Sequence, residues 1–148
     1  MKLYVIRHGN TDSNRLDIYN GKLLNEDIND IGIKQAQEAS KKIKNLNLDL
    51  IICSPLLRTR HTCDIINSNK IKVIYDDRIE ERNCGVLTNT KIDNFYYTEY
   101  WNYYSKVKID NLETVPELFK RVNLFLDEIK KKYRGQNILL VTHGGVAR

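Results

Sequence analysis

The sequence predicts an α/β domain in which helices cover both faces of a largely parallel central sheet, a three-layer α/β/α sandwich. Short apolar segments alternate with amphipathic helical segments along the chain, which is the pattern of a parallel sheet with crossover helices. Three of the apolar segments run directly into His8, Ser54 and His143. Because the carboxyl ends of parallel strands meet at one edge of a sheet, where ligands bind, we expect these residues to share a site.

The first third of the chain predicts a strand, a polar loop and a helix. Residues 2–6 form the first strand, which leads into Arg7, His8 and Gly9. Residues 10–27 are rich in Asn, Asp and Gly, which indicates a long loop or a short irregular helix beside the strand end. Asn29 or Asp30 then caps a helix of about four turns. Its apolar residues recur at three- and four-residue spacing, at positions 33, 36, 39, 43 and 46.

The middle of the chain predicts two further strands with a helix between them. Residues 48–53 form a nearly continuous apolar run, which is typical of a strand covered on both faces. Ser54 is a good N-cap and Pro55 suits the first helical position, so a helix is predicted to begin there and to continue to Ile66. Residues 71–75 alternate enough to form the next strand.

The last part of the chain predicts two helices and a final strand. Residues 76–89 form an irregular polar connection. The aromatic-rich residues 91–106 predict a helix that partly covers the pocket expected at the carboxyl ends of the strands. Thr114 and Glu117 have the spacing of a capping box, which opens an amphipathic helix. Residues 137–141 are a buried strand that ends shortly before His143.

Composition limits the class of protein. The chain has 148 residues, of which 41% are hydrophobic and 29% charged, as in one soluble globular domain covering residues 1–148. The net charge is +5, but the lysines are scattered over polar helix faces, so we expect no nucleic-acid partner. No apolar run approaches the roughly 20 residues of a membrane span, and no signal peptide is evident, which predicts a cytoplasmic protein. Cys53, Cys63 and Cys84 include no Cys-x-x-Cys pair and predict neither a disulfide framework nor a zinc site.

The predicted pocket combines two imidazoles with two guanidiniums. His8 and His143 follow buried strands, and Arg7 and Arg58 are expected beside them. Guanidinium groups bind phosphate bidentately and stay charged, so this set suits a dianion. An imidazole in this setting is either a base or a nucleophile, and we favour attack of one histidine on phosphorus with the cations stabilising the transition state. The spacing of the histidines fits no metal site.

The leaving group of a phosphomonoester also needs a proton. Asp76, Asp77, Glu80 and Glu81 lie on the connection that follows the third predicted strand. A carboxyl group held near the departing oxygen serves as the general acid. Sequence spacing does not choose among these four side chains.

Several motifs resemble those of the histidine phosphatase superfamily, in its phosphoglycerate mutase-like branch. Residues 7–14 resemble the family's Arg-His-Gly-x-Thr-x-x-Asn signature, and residues 54–62 are similar to its Ser-x-Leu-x-Arg-Ala-x-x-Thr segment. The other landmarks are residues 20–21, residues 29–36, the Glu-x-x-aromatic-Gly segment at residues 81–85, and the last motif at residues 142–148. The resemblance covers almost the whole chain with its motifs in the right order.

The resemblance implies a role for each matching residue. His8 corresponds to the nucleophile that becomes phosphohistidine, and Glu81 to the acid that protonates the leaving group and then activates water. Four residues correspond to groups that hold the phosphoryl oxygens: Arg7, Asn14, Arg58 and His143. The resemblance also places Asn20, Gly21 and Gly144 with the substrate-binding residues. It implies neither a metal nor a cofactor, and the expected partner is a small phosphorylated substrate.

The chain departs from the family pattern on the substrate side of the pocket. Asn10 stands where relatives usually have Glu or Gln, Cys84 replaces an aromatic residue, and residues 87–89 replace a frequent Trp-Glu-Gly. Relatives also usually continue beyond the position of Arg148 with a further helix and strand, so the fold is predicted to be short at this end. These departures leave the implied chemistry intact and leave the substrate open.

The sequence is compatible with three functions. The leading hypothesis is a phosphatase that hydrolyses a small phosphomonoester. A phosphoglycerate mutase is the second, although mutases usually carry a longer insertion between the positions of Glu81 and His143. A non-catalytic phospho-ligand binder is the third. A homodimer is left open.

Overall fold

Four parallel strands form the central sheet of the computed structural model, which describes the backbone of residues 1–148 and every side chain except those of residues 94–96. The strands are β1 (Lys2–Arg7), β2 (Leu50–Cys53), β3 (Val73–Tyr75) and β4 (Asn137–Thr142). They lie in the order β1-β4-β2-β3, and every pairing is parallel. The predicted parallel sheet is confirmed, although β2 and β3 begin later than predicted.

Helices cover both faces of this sheet. They are α1 (Asp12–Arg15), α2 (Asp30–Ile43), α3 (Leu57–Ile66), α4 (Asn94–Tyr100) and α5 (Val115–Lys132), with short 3₁₀ turns at Asp77–Ile79 and Gly85–Leu87. Ile51 of β2 packs with α2 and α3, whereas the next residue, Ile52, packs with Phe125 of α5. This alternation gives the two faces separate apolar cores, which confirms the three-layer sandwich. No described helix is both long and apolar enough to cross a membrane.

Local capping explains where two of the helices begin. The Asn29 side chain accepts a hydrogen bond from the Gly32 N–H at 3.0 Å and caps α2. Thr114 and Glu117 form the predicted capping box at the start of α5. Both helices then present apolar residues to the sheet, so their prediction from spacing and caps is confirmed.

The predicted start of α3 is wrong. The helix begins at Leu57, and its N-cap residue, Leu56, makes no side-chain hydrogen bond. Ser54 and Pro55 therefore precede the helix. The Ser54 hydroxyl instead lies 2.8 Å from Nε2 of His143. A contact with a distant residue has taken the place of the local cap.

The aromatic-rich helix is shorter than predicted. Helix α4 ends at Tyr100, whereas the sequence predicts a helix over residues 91–106. Beyond it, the Asn102 side chain accepts a hydrogen bond from the Tyr104 N–H at 2.9 Å. Such local side-chain bonds offer the backbone an alternative to the helical ladder, and they favour turns over a continued helix.

Candidate active site

Two histidines meet at the carboxyl edge of the sheet. Strands β1 and β4 are neighbours, and Arg7 is in register with Thr142, so the residues that follow these two emerge side by side. The ring centroids of His8 and His143 lie 5.1 Å apart. Only 6% of His8 and 0% of His143 is exposed to solvent. The sheet thus brings together two imidazoles that are far apart in the chain.

The hydrogen bond of His8 determines which ring nitrogen is free. Its Nδ1 lies 2.7 Å from the Gly9 carbonyl oxygen, which can only accept, so Nδ1 carries the proton and Nε2 keeps its lone pair. Burial, and next the Arg58 guanidinium, lower the pKa of His8 to about 3. The ring is therefore neutral at ordinary pH, the form in which an imidazole is a nucleophile.

Close packing of Gly9 holds the end of β1 in place. A Cβ atom at this position would lie 2.5 Å from the carbonyl oxygen of Gly32, in the first turn of α2. The Gly9 N–H also donates to Oγ1 of Thr62 in α3, at 3.0 Å. The backbone next to His8 is thereby fixed against two helices, which limits the movement of the imidazole.

Arg58 is completely buried beside the histidines. Its Nη2 donates to the Gly21 carbonyl at 2.7 Å, and its Nη1 donates to the Leu24 carbonyl at 3.1 Å. Burial lowers the pKa of Arg58. Both terminal nitrogens are thus engaged with backbone oxygens, and Nε is the one guanidinium nitrogen without a partner.

Most of the predicted substrate-binding residues line a cavity of about 200 Å³. The predicted site residues on its walls are Arg7, Asn14, Asn20, Gly21, Glu81 and Gly144. The other predicted site residues, His8, Arg58 and His143, are almost fully buried and do not contribute to these walls. Among the side chains that the structure describes, Arg7 has neither a hydrogen bond nor an ion pair, and it is exposed. It is therefore an available cation.

Both predicted asparagine ligands also make local hydrogen bonds. The Oδ1 of Asn14 accepts from the Thr11 N–H at 3.3 Å, as part of the capping box of α1. The Nδ2 of Asn20 donates to Glu26 at 3.1 Å. These bonds hold the two amide side chains on the cavity wall in defined positions.

The structure distinguishes among the four carboxylates that the sequence leaves open. Glu81 alone of the four lines the cavity. Its two oxygens accept hydrogen bonds from the Arg82 N–H at 2.8 Å and the Gly145 N–H at 3.2 Å. Asp76 is bound to Arg78 instead. The Glu81 carboxylate is therefore held by backbone groups at the rim of the pocket.

Replacing Gly145 with Ala is expected to displace this carboxylate. A Cβ atom here would collide with Oε1 of Glu81, and it would lie 2.8 Å from the Trp101 ring. A misplacement of about 1 Å costs on the order of 100-fold, so we expect kcat of a reaction in which this carboxylate transfers a proton to fall about 10- to 100-fold. Gly144→Ala is the matched comparison, because its Cβ meets Arg7 only at an ordinary 3.5 Å. Equal losses in the two variants would contradict the steric explanation.

Aromatic residues of the segment that is predicted to cover the pocket form one wall of the cavity. Tyr97 and Trp101 lie on this wall. The guanidinium of Arg148 stacks 4.4 Å from the Trp101 ring and donates to the Tyr97 hydroxyl at 2.6 Å. Arg148 closes the last motif of the sequence but is not among the predicted site residues. Phe95 and Tyr96 lie outside the described side chains.

His8, Arg58 and His143 form a buried cluster in which two nitrogens lack a hydrogen-bond partner. They are Nε of Arg58 and Nδ1 of His143. Because buried polar groups in proteins are almost always paired, unpaired ones indicate where a ligand supplies the partner. The described residues contain no group of three or more His, Cys, Asp or Glu that could hold a metal ion. The arrangement instead suits an anion with several acceptor oxygens.

Comparison with known sequences agrees with this geometry. The model of the histidine phosphatase superfamily, branch 1, matches residues 3–148. Phosphoserine phosphatase 1 of Hydrogenobacter thermophilus is 30% identical over an alignment of 150 residues, which covers 97% of this chain and 71% of that protein. A probable phosphoglycerate mutase GpmB of Yersinia pestis is 32% identical over 97% of this chain and 70% of its own length.

Solved structures share the fold. A putative α-ribazole-5′-P phosphatase from Escherichia coli superposes with a TM-score of 0.82 and 28% identity, over 99% of this chain and 75% of its own. Phosphoserine phosphatase from Entamoeba histolytica, in complex with 3-phosphoglyceric acid, has a TM-score of 0.84 and 25% identity, over 98% of this chain and 75% of its own. Because the family model spans nearly all of the sequence, the chain belongs to the histidine phosphatase superfamily.

Proposed function

We propose that this chain is a phosphatase that hydrolyses a small phosphomonoester through a phosphohistidine on His8. One observation carries the proposal: a neutral His8, with Nε2 free, lies in a buried cluster with Arg58 and His143. A neutral imidazole supplies the electron pair, and the neighbouring donors stabilise the charge on the transferring group.

The reaction follows in two steps. In the first, Nε2 of His8 forms a bond to phosphorus as the bond to the leaving oxygen breaks, and Glu81 gives that oxygen its proton. In the second, the Glu81 carboxylate takes a proton from water as the water oxygen attacks phosphorus, and the bond to His8 breaks. One carboxyl group thus serves as acid and then as base. Inorganic phosphate leaves, and the enzyme returns to its first state.

The other site residues bind the phosphoryl group and the substrate. Arg7 is an available cation at the cavity, and Nε of Arg58 and Nδ1 of His143 are the unpaired groups that phosphoryl oxygens would satisfy. Asn14 contributes an amide from the cavity wall. Asn20, Gly21 and Gly144 shape the wall around the rest of the substrate.

An assay of the purified chain tests this function. It measures inorganic phosphate released from a panel of phosphomonoesters that includes phosphoserine and 3-phosphoglycerate, with and without EDTA. A phosphatase without a metal releases phosphate in both conditions. Isomerisation of 3-phosphoglycerate without release would favour a mutase, for which the GpmB relative is the supporting observation. Tight phosphate binding with no turnover on the whole panel would favour a binding protein.

We also propose that residues 1–148 act as a single domain in the cytoplasm, without a nucleic-acid or membrane partner. The three cysteines are buried free thiols, which suits a reducing compartment. Cell fractionation tests the location, and recovery of the protein in the periplasm or medium would contradict it. Light scattering distinguishes a monomer from the homodimer that the sequence leaves open.

Stability is expected to fall at acid pH because two imidazoles are buried in their neutral form. Burial and Arg58 lower the pKa of His8 to about 3, whereas an unfolded histidine titrates near 6.5. Between these values the unfolded chain binds protons that the folded chain does not, so the free energy of unfolding rises with pH. The contribution is complete above about pH 6.5 and is lost as pH falls toward 3.

Urea unfolding at pH 7 and at pH 5 measures this effect. Between pH 7 and pH 5 the neutral, buried His8 is expected to lower the free energy of unfolding by about 2 kcal/mol. His8→Asn should reduce the loss by that amount, whereas His61→Asn should not, because His61 is partly exposed and bound to Asp27 at 2.9 Å. An unchanged loss in His8→Asn would show that the stability change arises elsewhere.

A further inference from the structure

The second histidine has a partner that the proposed reaction does not yet use. Nε2 of His143 lies 2.8 Å from Oγ of Ser54, and neither residue is exposed to solvent. Ser54 follows β2 and His143 follows β4, which are adjacent strands. The Ser54 N–H continues the ladder by donating to the Val141 carbonyl at 2.9 Å. The sheet therefore places the serine hydroxyl beside the imidazole.

The surroundings of Ser54 indicate the direction of this hydrogen bond. Its hydroxyl oxygen faces a donor, the Leu56 N–H, at 3.5 Å. Its carbonyl oxygen accepts from the Thr59 hydroxyl at 3.0 Å. Of the contacts made by the Ser54 hydroxyl, Nε2 of His143 is the one that can accept its proton. The hydroxyl therefore donates to Nε2, and the neutral imidazole carries its proton on Nδ1.

That Nδ1 proton has no acceptor within the protein as described. The nitrogen is buried and unpaired, and its ring lies 5.1 Å from the ring of His8. A phosphoryl oxygen bound at His8 is the natural acceptor for a donor in this position. In the opposite tautomer, Nδ1 would present a lone pair to the same oxygen, and the two would repel.

We propose that Ser54 is a positioning residue whose hydroxyl holds His143 in the Nδ1–H tautomer, so that the ring donates a hydrogen bond to the transferring phosphoryl group. The proposal rests on the proposed phosphatase function for its role in catalysis. The tautomer itself depends only on the protein.

Charge around His143 agrees with a neutral ring. Burial, and next Arg58, hold the pKa of His143 well below its usual range. A protonated imidazole would carry hydrogen on both nitrogens and would need no partner to select one. Because the ring is neutral, its two tautomers present different groups to the phosphate, a donor or a lone pair on Nδ1. The hydrogen bond from the Ser54 hydroxyl can therefore select between them.

Nitrogen NMR of the full chain labelled with ¹⁵N-histidine tests the tautomer directly. The chain has only three histidines, so the missing signals in His143→Asn assign the ring. We expect protonated Nδ1 and unprotonated Nε2 in the wild type at pH 7. In Ser54→Ala we expect either a mixture of the two His143 tautomers or a ring that is protonated on Nε2. A wild-type ring protonated on Nε2, or an unchanged tautomer in Ser54→Ala, would overturn the proposal.

Kinetics test the consequence for catalysis. Loss of one fixed donor to a developing oxyanion costs on the order of 10²- to 10³-fold, and a ring that still samples the correct tautomer loses less. We therefore expect kcat/KM to fall about 10- to 100-fold in Ser54→Ala and to recover largely in Ser54→Thr, which keeps a hydroxyl. Equal losses in Ser54→Ala and Ser54→Thr would overturn the catalytic role.

Thr59→Val is the matched control. It removes a buried hydroxyl from the first turn of α3, one that contacts the Ser54 carbonyl and not His143. We expect it to leave the His143 tautomer unchanged, and a shift equal to that in Ser54→Ala would overturn the proposal. If the wild type has no phosphatase activity on any substrate, the proposed function fails, while the NMR result still decides the role of Ser54 in holding the ring.

Discussion

Replacing His8 with Gln is expected to abolish hydrolysis of phosphomonoesters, with kcat lowered on the order of 10⁴-fold or more. Glutamine has no lone pair on nitrogen to offer to phosphorus, so the covalent path is lost. The loss of a nucleophile is larger than the loss of any one binding group, because the remaining residues then stabilise a reaction that has no attacking atom. The structure supports this assignment through the free Nε2 of a neutral ring.

Rapid quenching with a ³²P-labelled substrate checks this expectation. The wild type should yield a phosphoenzyme that is labile in acid and stable in base, as a phosphohistidine is, and His8→Gln should yield none. His61→Gln is the control, because that ring lies at the surface, bound to Asp27. Full turnover by His8→Gln would remove the phosphohistidine from the mechanism.

Replacing Glu81 with Gln is expected to lower kcat about 10²- to 10⁴-fold for substrates with an alkyl leaving group. The alkoxide is a poor leaving group without a proton, and Gln has no proton to give. The amide oxygen of Gln also keeps only one of the two backbone hydrogen bonds that hold the carboxylate, from Arg82 and Gly145. The loss in kcat/KM, which reports the steps up to departure of the leaving group and not the later hydrolysis of the phosphohistidine, should be much smaller with p-nitrophenyl phosphate, whose leaving group departs as a stable anion.

Glu80→Gln separates the two adjacent glutamates. Glu80 forms an ion pair with Lys22 at 3.6 Å and does not line the cavity. Its replacement is expected to leave the dependence on leaving group unchanged. Should Glu80→Gln show the leaving-group dependence and Glu81→Gln not, the general acid is Glu80 and the proposed assignment is wrong.

Much of the fold is predictable because its determinants are local. Apolar runs at residues 48–53 and 137–141 indicate strands covered on both faces, and the capping box at Thr114 indicates where α5 begins. Because the strands are parallel, the position of His8 and His143 at one edge of the sheet can be predicted without considering side-chain packing. The strength of these signals comes from periodicity, which each segment carries in its own residues.

Other features of the site depend on contacts that no local pattern records. Ser54 has every local property of an N-cap, yet its hydroxyl faces His143, 89 positions away in the chain. Arg58 has the motif of a phosphate ligand, yet its terminal nitrogens bind the carbonyls of Gly21 and Leu24. In both cases the polar group is buried, and a buried group must pair with whatever the packing places beside it.

The assignment of Glu81 among four acidic residues also depends partly on local sequence and partly on tertiary contacts. The sequence establishes that a carboxylate follows the third strand, and resemblance alone favours one position. The folded chain brings the Gly145 N–H to this carboxylate from 64 positions away, and the absence of a Cβ there leaves room for it. Residue types and their order along the chain therefore specify the sheet, its catalytic edge and the reaction class. Only the folded chain decides which atoms of those residues are free to react, because hydrogen-bond partners are set by neighbours in space and not in sequence.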